Sequence, residues 1–510
     1  MKKFLAMLLI AALALTMFSI PAMAETTTIK VMLWDRGDAP TGGTVENSKM
    51  TTWINEQIAP LGIQVEFVST PRSGSDDKLV TWMAGGSAPD IIFSYGQSTF
   101  LNFATQGGLV DLGPAIEKLG DDNNIVKYVG DVMNMGNIDG HQFALLSKRG
   151  AANPRHTAYI RADWLEELNL PMPTTYTELA DTLVAFSQSG EGRYGYIAAS
   201  SLQFDLNNLL MPFGVQVSRA GNMMGMDAEG KPVFVPMTEN YKAAVAWACD
   251  LFERGALDPE YFTQTSDMVR AKVQDTEAGP RTGIVFAWTA DSELLGNAKD
   301  YVVVEAVAGP DGNRYVESDP TFLNYGKNEF VITKNCSDPG KLLTWADQFY
   351  TDEASLQTYY GSIGDGKIAK NEDGTYEVLL PAADSGINLD TSCWTFSFRD
   401  HGPKYMNEEF ESKVILPTTE GDGIKLADDA VNAKYARDTF PVVAYTAQEL
   451  DDMAFLSPDI TSYCNQQYAH WVTEGGVEEE WDAYIAKLNQ MNVNDLIQIH
   501  LDAYARYMGE

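Results

Sequence analysis

Apolar and polar positions in the first hundred residues follow two alternating periods. Ile29 to Trp34 (IKVMLW) is an apolar run that reads as a buried strand, and Asp35-Arg36-Gly37-Asp38 follows as a polar turn at its carboxyl end. Ser48 to Ile58 has helical spacing, and Ile63 to Val68 (IQVEFV) alternates apolar and polar as a second strand. The stretch Ser75 to Gly96 (SDDKLVTWMAGGSAPDIIFSYG) then packs a helix, a stop and a strand into one unit. Asp76 and Asp77 sit in the first turn, where carboxylates favour the positive helix end, and Leu79, Met83 and Gly86 keep helical spacing with Trp82 beside them. Gly85-Gly86 ends the helix, Pro89-Asp90 is a turn signal, and Ile91-Ile92-Phe93 is a fully apolar strand core. This β-α-β-α-β alternation predicts an α/β fold with a mostly parallel sheet under helical cover. Ligands of open α/β sheets bind just outside the carboxyl ends of the strands, so Ser94 and Tyr95 are ligand-contact candidates; the bland alternative is that Tyr95 only packs its loop.

The same patterning continues along the chain. Phe100 to Ala104 starts a short helix, and Gly140 to Leu146 and His156 to Arg161 read as strands flanking a polar loop with Asn153 and Arg155. Thr175 and Glu178 form a T-x-x-E capping box ahead of an apolar face of Leu179, Leu183 and Phe186. Further on come a strand at Tyr194 to Ala198, a helix from about Leu202 to Met211, and a helix from Tyr241 to Glu253. Thr282 to Trp288 (TGIVFAW) is a buried strand, Asn328 to Thr333 another, and Asp338 to Phe349 a helix. Glu478 to Leu488 and Asp495 to Met508 are amphipathic helices, the first with Trp481, Tyr484, Ile485 and Leu488 on one stripe. No internal repeat and no low-complexity linker interrupts them.

Length and composition narrow the class. At 510 residues the chain exceeds what one hydrophobic core usually holds, which predicts two lobes. Lys2-Lys3, the apolar stretch Phe4 to Ile20 and the small-x-small site Ala22-Met23-Ala24 make a secretory signal peptide, residues 1–24, with a retained anchor as the alternative. Two positive charges leave with that leader, so the net charge of −35 becomes −37. Such acidity repels phosphate backbones and excludes nucleic acid as a partner, while leaving basic ligands open. The four cysteines, Cys249, Cys336, Cys393 and Cys464, are too widely spaced for a disulfide framework, and Cys249 in AVAWACDLF reads as a small buried hydrophobe. Neither the cysteines nor the five histidines have metal-ligand spacing, and no metal or cofactor is expected.

Several motifs carry a family likeness. Met83, Ala84, Gly86, Pro89, Asp90, Ile91 and Ile92 fit a helix ending in M-x-A-x-G followed by x-P-D-I-I; Gln106 to Leu112 reads QGGLVDL. Ile160 to Leu179 (IRADWLEELNLPMPTTYTEL) matches R-x-D-W-L-x-x-L-x-L-x-x-P-x-T-x-x-E-L at every position, LDPEYF follows at Leu257, and the C-terminal string closes with A-Y-x-R-Y. On these residues the chain resembles the extracellular solute-binding proteins that feed carbohydrate ABC transporters, in their long LplA-like oligosaccharide branch. The likeness covers most of the chain and is weakest from Ser355 to Pro458. It implies a two-lobe periplasmic-binding-protein (type II) fold: an N-terminal lobe of 25–155 plus about 330–390, and a C-terminal lobe of 156–329 plus about 391–510. It also implies ABC permease subunits as partners, a monomer, and export to a periplasmic or extracellular location. Many relatives carry a lipidated cysteine at the cleavage site; this chain has none there, which leaves open whether it is free or tethered. Calcium occurs in the family, but no D-x-[DN]-x-[DN]-G loop is present.

Chemistry separates binder from enzyme. There is no G-x-S-x-G nucleophile elbow and no phosphate-cradling glycine loop, and with 71 acidic residues a chance carboxylate pair says little about glycoside hydrolysis. Trp164 belongs to the core. Sugars need aromatic faces for their C–H surfaces and polar groups for their hydroxyls. Strand-end and loop positions of that kind are Trp34, Asp35, Arg36, Ser94, Tyr95, Trp288, Asp291, Tyr325, Trp394 and Arg399, with Asn153, Arg155, Gln203 and Asp205 as weaker candidates. The expected function is oligosaccharide capture by hinge closure. A binder of basic peptides or polyamines is the alternative, and an exported glycan-degrading enzyme the third class.

Overall fold

The computed structural model describes residues 26–35, 49–71, 74–93, 97–120, 122–129, 137–148, 156–199, 206–215, 222–275, 277, 279, 281–318, 325–364, 366–385, 387, 389, 393, 397–399 and 402–509. In chain order the elements that matter are β1 (Thr27–Asp35), α1 (Lys49–Ile58), β2 (Ile63–Pro71), α2 (Ser75–Ala84), β3 (Ile91–Ile92), α3 (Gln97–Thr105) and β4 (Leu145–Lys148). They are followed by β5 (Thr157–Arg161), α4 (Tyr176–Gln188), β6 (Tyr194–Tyr196), α5 (Glu239–Glu253), β7 (Thr282–Ala287) and β8 (Tyr301–Val303). Then come β9 (Tyr325–Ile332), α6 (Pro339–Asp347), α7 (Asp352–Tyr360), the short strands β10 (Ile368–Lys370), β11 (Tyr376–Val378) and β12 (Val414–Ile415), and α8 (Asp422–Asn432). Three helices close the chain: α9 (Ala447–Glu474), α10 (Val477–Gln490) and α11 (Val493–Met508).

Two principal sheets result. The first has the order β2-β1-β3-β9-β4 and the second β8-β5-β7-β6. β1 pairs in parallel with β2 and β3, as the β-α-β pattern requires, but β9 enters antiparallel to β3 and β4. In the second sheet β7 is parallel to β6, whereas β5 runs antiparallel to β7 and β8. The antiparallel members share a cause. β5 and β9 are the strands laid down when the chain passes from one core to the other, so each enters its sheet from the opposite end.

The apolar pattern decides where each core sits. The first core joins β1 to β4 and β9 to α1, α2 and α6, with Ile54, Leu79, Ile91, Ile92 and Trp345 fully enclosed. The second joins one face of β5, β6 and β7 to α4, α5 and the C-terminal helices, including Trp164, Leu183, Trp471 and Tyr484. A third covers the other face of that sheet with Tyr159, Val285, Leu294 and Tyr301, and a fourth gathers α7, β10, β11 and β12 around Leu356, Tyr360 and Phe410. Trp164 is buried between the guanidinium groups of Arg161 and Arg193, 4.6 and 4.5 Å from its ring, which accounts for it as core. Cys249 is buried in α5, and all four cysteines are free thiols.

Local signals hold with small adjustments. Gly86 has φ of +64°, the left-handed conformation that lets the chain leave α2. The Thr175 side chain accepts from the Glu178 N–H at 3.2 Å, but Glu178 reaches past it to the Thr174 N–H and hydroxyl at 2.8 and 2.6 Å. The capping box therefore closes one residue early. Of the helix expected from about Leu202 to Met211, the described part is a 3-10 segment, Leu206–Phe213, with Pro212 near its end. Residues 201–205 lie outside the described residues.

Candidate functional site

β7 is buried at all six positions, as expected of a central strand covered on both faces. Its carboxyl end passes to half-buried Trp288 and then to Thr289, which caps the turn Ala290–Leu294 reciprocally with Ser292. Asp291 lies on that turn and is solvent-exposed. The antiparallel register sets Thr157, the first residue of β5, opposite Ala287, so His156 and Thr157 stand beside the strand end that carries Trp288.

α8 lies against this edge and is amphipathic in reverse. Asp422, Lys425, Asp429 and Asn432 recur at helical spacing and are buried, while Leu426 and Val431 are 45% and 40% exposed. Every polar residue of the stripe has a partner. Asp429 accepts from the Thr157 hydroxyl at 2.9 Å and pairs with Lys425. Asn432 receives the Ala306 N–H at 2.8 Å and donates to the Val304 carbonyl at 3.0 Å, which fixes the helix to the segment after β8. Neighbouring Asp428 accepts from Tyr159 of β5 at 2.7 Å.

Lys425 is 0% exposed, and its ammonium lies 5.0 Å from the centroid of the Trp288 ring. Burial pulls its pKa down, and burial likewise pushes the Asp429 carboxyl up, so each needs the other to stay charged. His156 is held near pKa 3 by desolvation and then by the charge of Lys425, which keeps its imidazole neutral; its Nδ1 has no hydrogen-bond partner.

At the start of α8, Asp422 binds Arg399 and accepts from the Tyr360 hydroxyl at 2.9 Å. Burial would raise this carboxyl, but the Arg399 charge and the hydrogen bonds from Arg399 and Tyr360 outweigh it and hold the carboxyl below its usual range. Arg399 is 5% exposed, with its guanidinium 4.4 Å from the Tyr359 ring. The indole N–H of Trp288 is turned toward Asp422 without forming a hydrogen bond of ordinary geometry. The residue before Arg399, Phe398, packs in the first core, edge-on to Phe93 at 5.5 Å and near Phe67 at 5.6 Å. Phe93 directly follows β3. One chain of contacts thus runs from the carboxyl end of β3 through Phe398, Arg399 and Asp422 to Trp288 at the carboxyl end of β7.

The structure therefore brings three sequence candidates together. Trp288 and Arg399 face Asp422, and Asp291 lies within electrostatic range of Glu420 and Asp428; desolvation first, then those two carboxylates, raise its pKa. Backbone register places three more on the first sheet at the edge marked by Phe93: Trp34 and Asp35 end β1, and Tyr325 begins β9. The side chains of those three are outside the described residues, as are Arg36, Ser94, Tyr95, Asn153, Arg155, Gln203, Asp205 and Trp394. His156, Asp422, Lys425 and Asp429 were not singled out from the sequence. For the three on α8 the signal is the polar stripe at helical spacing in DGIKLADDAVN, where a buried stripe and a solvated one look alike; His156 carries no such signal.

Among the described residues no group of three or more His, Cys, Asp or Glu side chains could hold a metal ion. Nor, among those residues, is any helix long and apolar enough to cross a membrane.

Comparison with known proteins follows the same lines. Residues 56–355 match the family model described as bacterial extracellular solute-binding protein. The fructooligosaccharide ABC transporter substrate-binding protein FusA of Streptococcus pneumoniae serotype 4 is 25% identical over 481 residues, covering 88% of this chain and 85% of that protein. The polygalacturonan/rhamnogalacturonan-binding protein YtcQ of Bacillus subtilis is 24% identical over 326 residues, covering 61% of this chain and 62% of its own. FusA in complex with kestose superposes with a TM-score of 0.78 at 21% identity, over 95% of this chain and 100% of that one. An HMO-binding, ABC-transporter-associated solute-binding protein from Bifidobacterium longum infantis gives 0.76 at 18%, over 94% and 99%.

Proposed function

The chain belongs to the bacterial extracellular solute-binding protein family, and from that premise we propose that it is the oligosaccharide-binding component of an ABC importer. The observation that carries this reading is the convergence of two strand ends on one strap: Trp288 after β7 and the Phe93–Phe398 contact after β3 both lead to Asp422 and Arg399. An aromatic face backed by a buried cation, with carboxylates at its rim, suits a sugar ring, whose apolar C–H face stacks while its hydroxyls hydrogen-bond. FusA is named for fructooligosaccharides, which supports the same ligand class here.

In this reading the protein has two lobes, 25–155 plus about 330–390 and 156–329 plus about 391–510. They hinge about the crossing strands and close over the ligand. Ligand drives closure only through contacts that are better in the closed state. The closed form is what the permease subunits recognise, and the protein performs no turnover. The mature chain begins at Glu25 after export, acts outside the cytoplasmic membrane as a monomer, and binds no nucleic acid. Trp34, Asp35, Arg36, Ser94, Tyr95, Asn153, Arg155, Gln203, Asp205, Trp288, Asp291, Tyr325 and Trp394 are the proposed ligand-facing set, and Arg399 supports it from behind, through Asp422.

A thermal-shift panel of glycan oligomers on the mature protein tests this. A true ligand at 100 times its dissociation constant adds about 2.7 kcal/mol of stability. Trp288→Ala should weaken that ligand at least about tenfold, equivalent to about 1.4 kcal/mol, and small-angle scattering should contract on binding. A second reading, capture of a basic peptide or polyamine, draws on the carboxylates Asp291, Glu420 and Asp428. It requires that Asp291→Asn harm binding more than Trp288→Ala does.

A further inference from the structure

Resting on that reading, we infer that the Trp288 site takes uncharged oligosaccharides and rejects uronate-bearing ones, and that Asp291 sets this selectivity. Local charge sets this preference. Among the described residues, five carboxylates stand around Trp288, namely Asp291, Glu420, Asp422, Asp428 and Asp429, against two cations, Arg399 and Lys425. Both cations are committed. Lys425 pairs with Asp429 beneath the indole, and Arg399 pairs with Asp422, in ion pairs whose side chains are at most 10% exposed. Neither ammonium nor guanidinium can turn to a ligand without leaving a buried carboxylate uncompensated.

The carboxylate that faces solvent is of the other sign to what a uronate needs. Asp291 is exposed, three residues beyond Trp288 on the turn that follows it. Glu420 and Asp428 already lie close enough to disfavour its ionisation. A ligand carboxylate stacked on Trp288 would add a further like charge to this group, in a site partly withdrawn from water where such repulsion is weakly screened. A sugar hydroxyl meets no such penalty and can donate to Asp291.

The distinction matters because similar proteins fall on both sides of it: one is named for fructooligosaccharides, which are uncharged, and another for polygalacturonan, which is a polyanion. This chain is placed with the first.

The experiment is titration calorimetry of the mature protein at neutral pH with matched trisaccharides. The probes are kestose, maltotriose and xylotriose as neutral ligands, trigalacturonate as the anion, and its methyl ester as the uncharged isostere. The expected result is binding of at least one neutral probe, with trigalacturonate weaker than its own methyl ester by on the order of tenfold or more. In Asp291→Asn the gap between acid and ester should narrow. Trigalacturonate binding as well as its ester, or better than every neutral probe, overturns the inference while leaving oligosaccharide capture intact. Equal failure of acid and ester while a neutral probe binds also overturns it, since shape and not charge would then be the filter. If no glycan binds and spermidine does, the function itself falls and takes this inference with it. The comparison within wild type stands whether or not the Asp291→Asn variant is stable.

Discussion

The second sheet meets apolar interiors on both faces and, at one edge, a polar interior built on the opposite rule. On the side of α4 and α5, Leu183, Phe186, Val245 and Leu251 are buried against it with no polar group to satisfy. At the edge where α8 meets β5, the buried side chains are Thr157, Asp422, Lys425, Asp429 and Asn432, each held to a named partner. An apolar interior stabilises through the area it removes from water and tolerates repacking. A buried polar interior gains little net stability and demands that every partner be present. The interior that is costly to assemble is the one that supports Trp288, the residue proposed to face the ligand.

Single truncations are the bluntest way to break the comparison, because they should cost alike on both sides. Lys425→Ala leaves Asp429 buried and uncompensated and should destabilise by about 3–5 kcal/mol. Leu183→Ala opens a cavity in the apolar interior and should cost about 2–5 kcal/mol. Chemical denaturation of both variants measures the pair. A Lys425→Ala cost under about 1 kcal/mol would mean that water reaches this edge and that the interior is not sealed.

Acid is the next lever, and it should act through the histidines. His156 is held near pKa 3 and His500 near 4, against an ordinary value of 6.5, both chiefly by burial. Below pH 6.5 the unfolded chain therefore binds protons that the folded chain refuses, and stability falls as pH falls. The loss continues until the folded values are reached. Each histidine should remove about 2 kcal/mol between about pH 6.5 and 5. His156→Gln and His500→Gln should each flatten the pH dependence of the thermal midpoint over that window. An unchanged slope in His156→Gln would place that ring in contact with water.

Legibility in the sequence follows the range of each interaction. The stretch Ser75 to Phe93 could be read because its information is local: carboxylates in a first turn, helical spacing, two glycines, an apolar triplet. Trp288 and Asp291 were visible for the same reason, as the polar end of a fully apolar strand. α8 was not. Its partners Thr157, Tyr159 and Val304 lie more than a hundred positions away, so its stripe reads as a solvated face until the tertiary contacts exist. The 28-residue α9 was also passed over, although Thr446 and Glu449 form a full reciprocal capping box at its start; it runs through Pro458, which removes one of its backbone donors. The mostly parallel sheet was legible from β-α alternation, whereas the reversed entry of β5 and β9 depends on the crossing between cores, which no local pattern encodes.

A smaller effect checks the local reading itself. Thr175 caps α4 by accepting from the Glu178 N–H, while Glu178 bonds Thr174. Thr175→Ala should cost about 1 kcal/mol, and Glu178→Ala should cost no more than that because its bonds are at an exposed helix start. Urea midpoints of the two variants decide it; a larger loss at Glu178 would show that the early closure is the real cap.

The smallest expected change is the most informative about the polar interior. Replacing both charges together, Lys425→Met with Asp429→Leu, removes two buried ions instead of orphaning one. The Thr157 hydroxyl, which now donates to Asp429, would lose its acceptor, so Thr157→Val completes the set. Asp428 still receives the Tyr159 hydroxyl, and Asp422 still binds Arg399, so α8 keeps its other anchors. The triple variant should lie within about 1 kcal/mol of wild type, as apolar replacements of buried ion pairs commonly do. Its glycan affinity is the deciding readout. The cation beneath the Trp288 ring would be gone, and with it the interaction that holds the indole against α8. Unchanged stability with weakened sugar binding would establish that these charges are kept for the site they position. Unchanged stability with unchanged binding would make the ion pair a bystander and detach Trp288 from α8 as a functional unit.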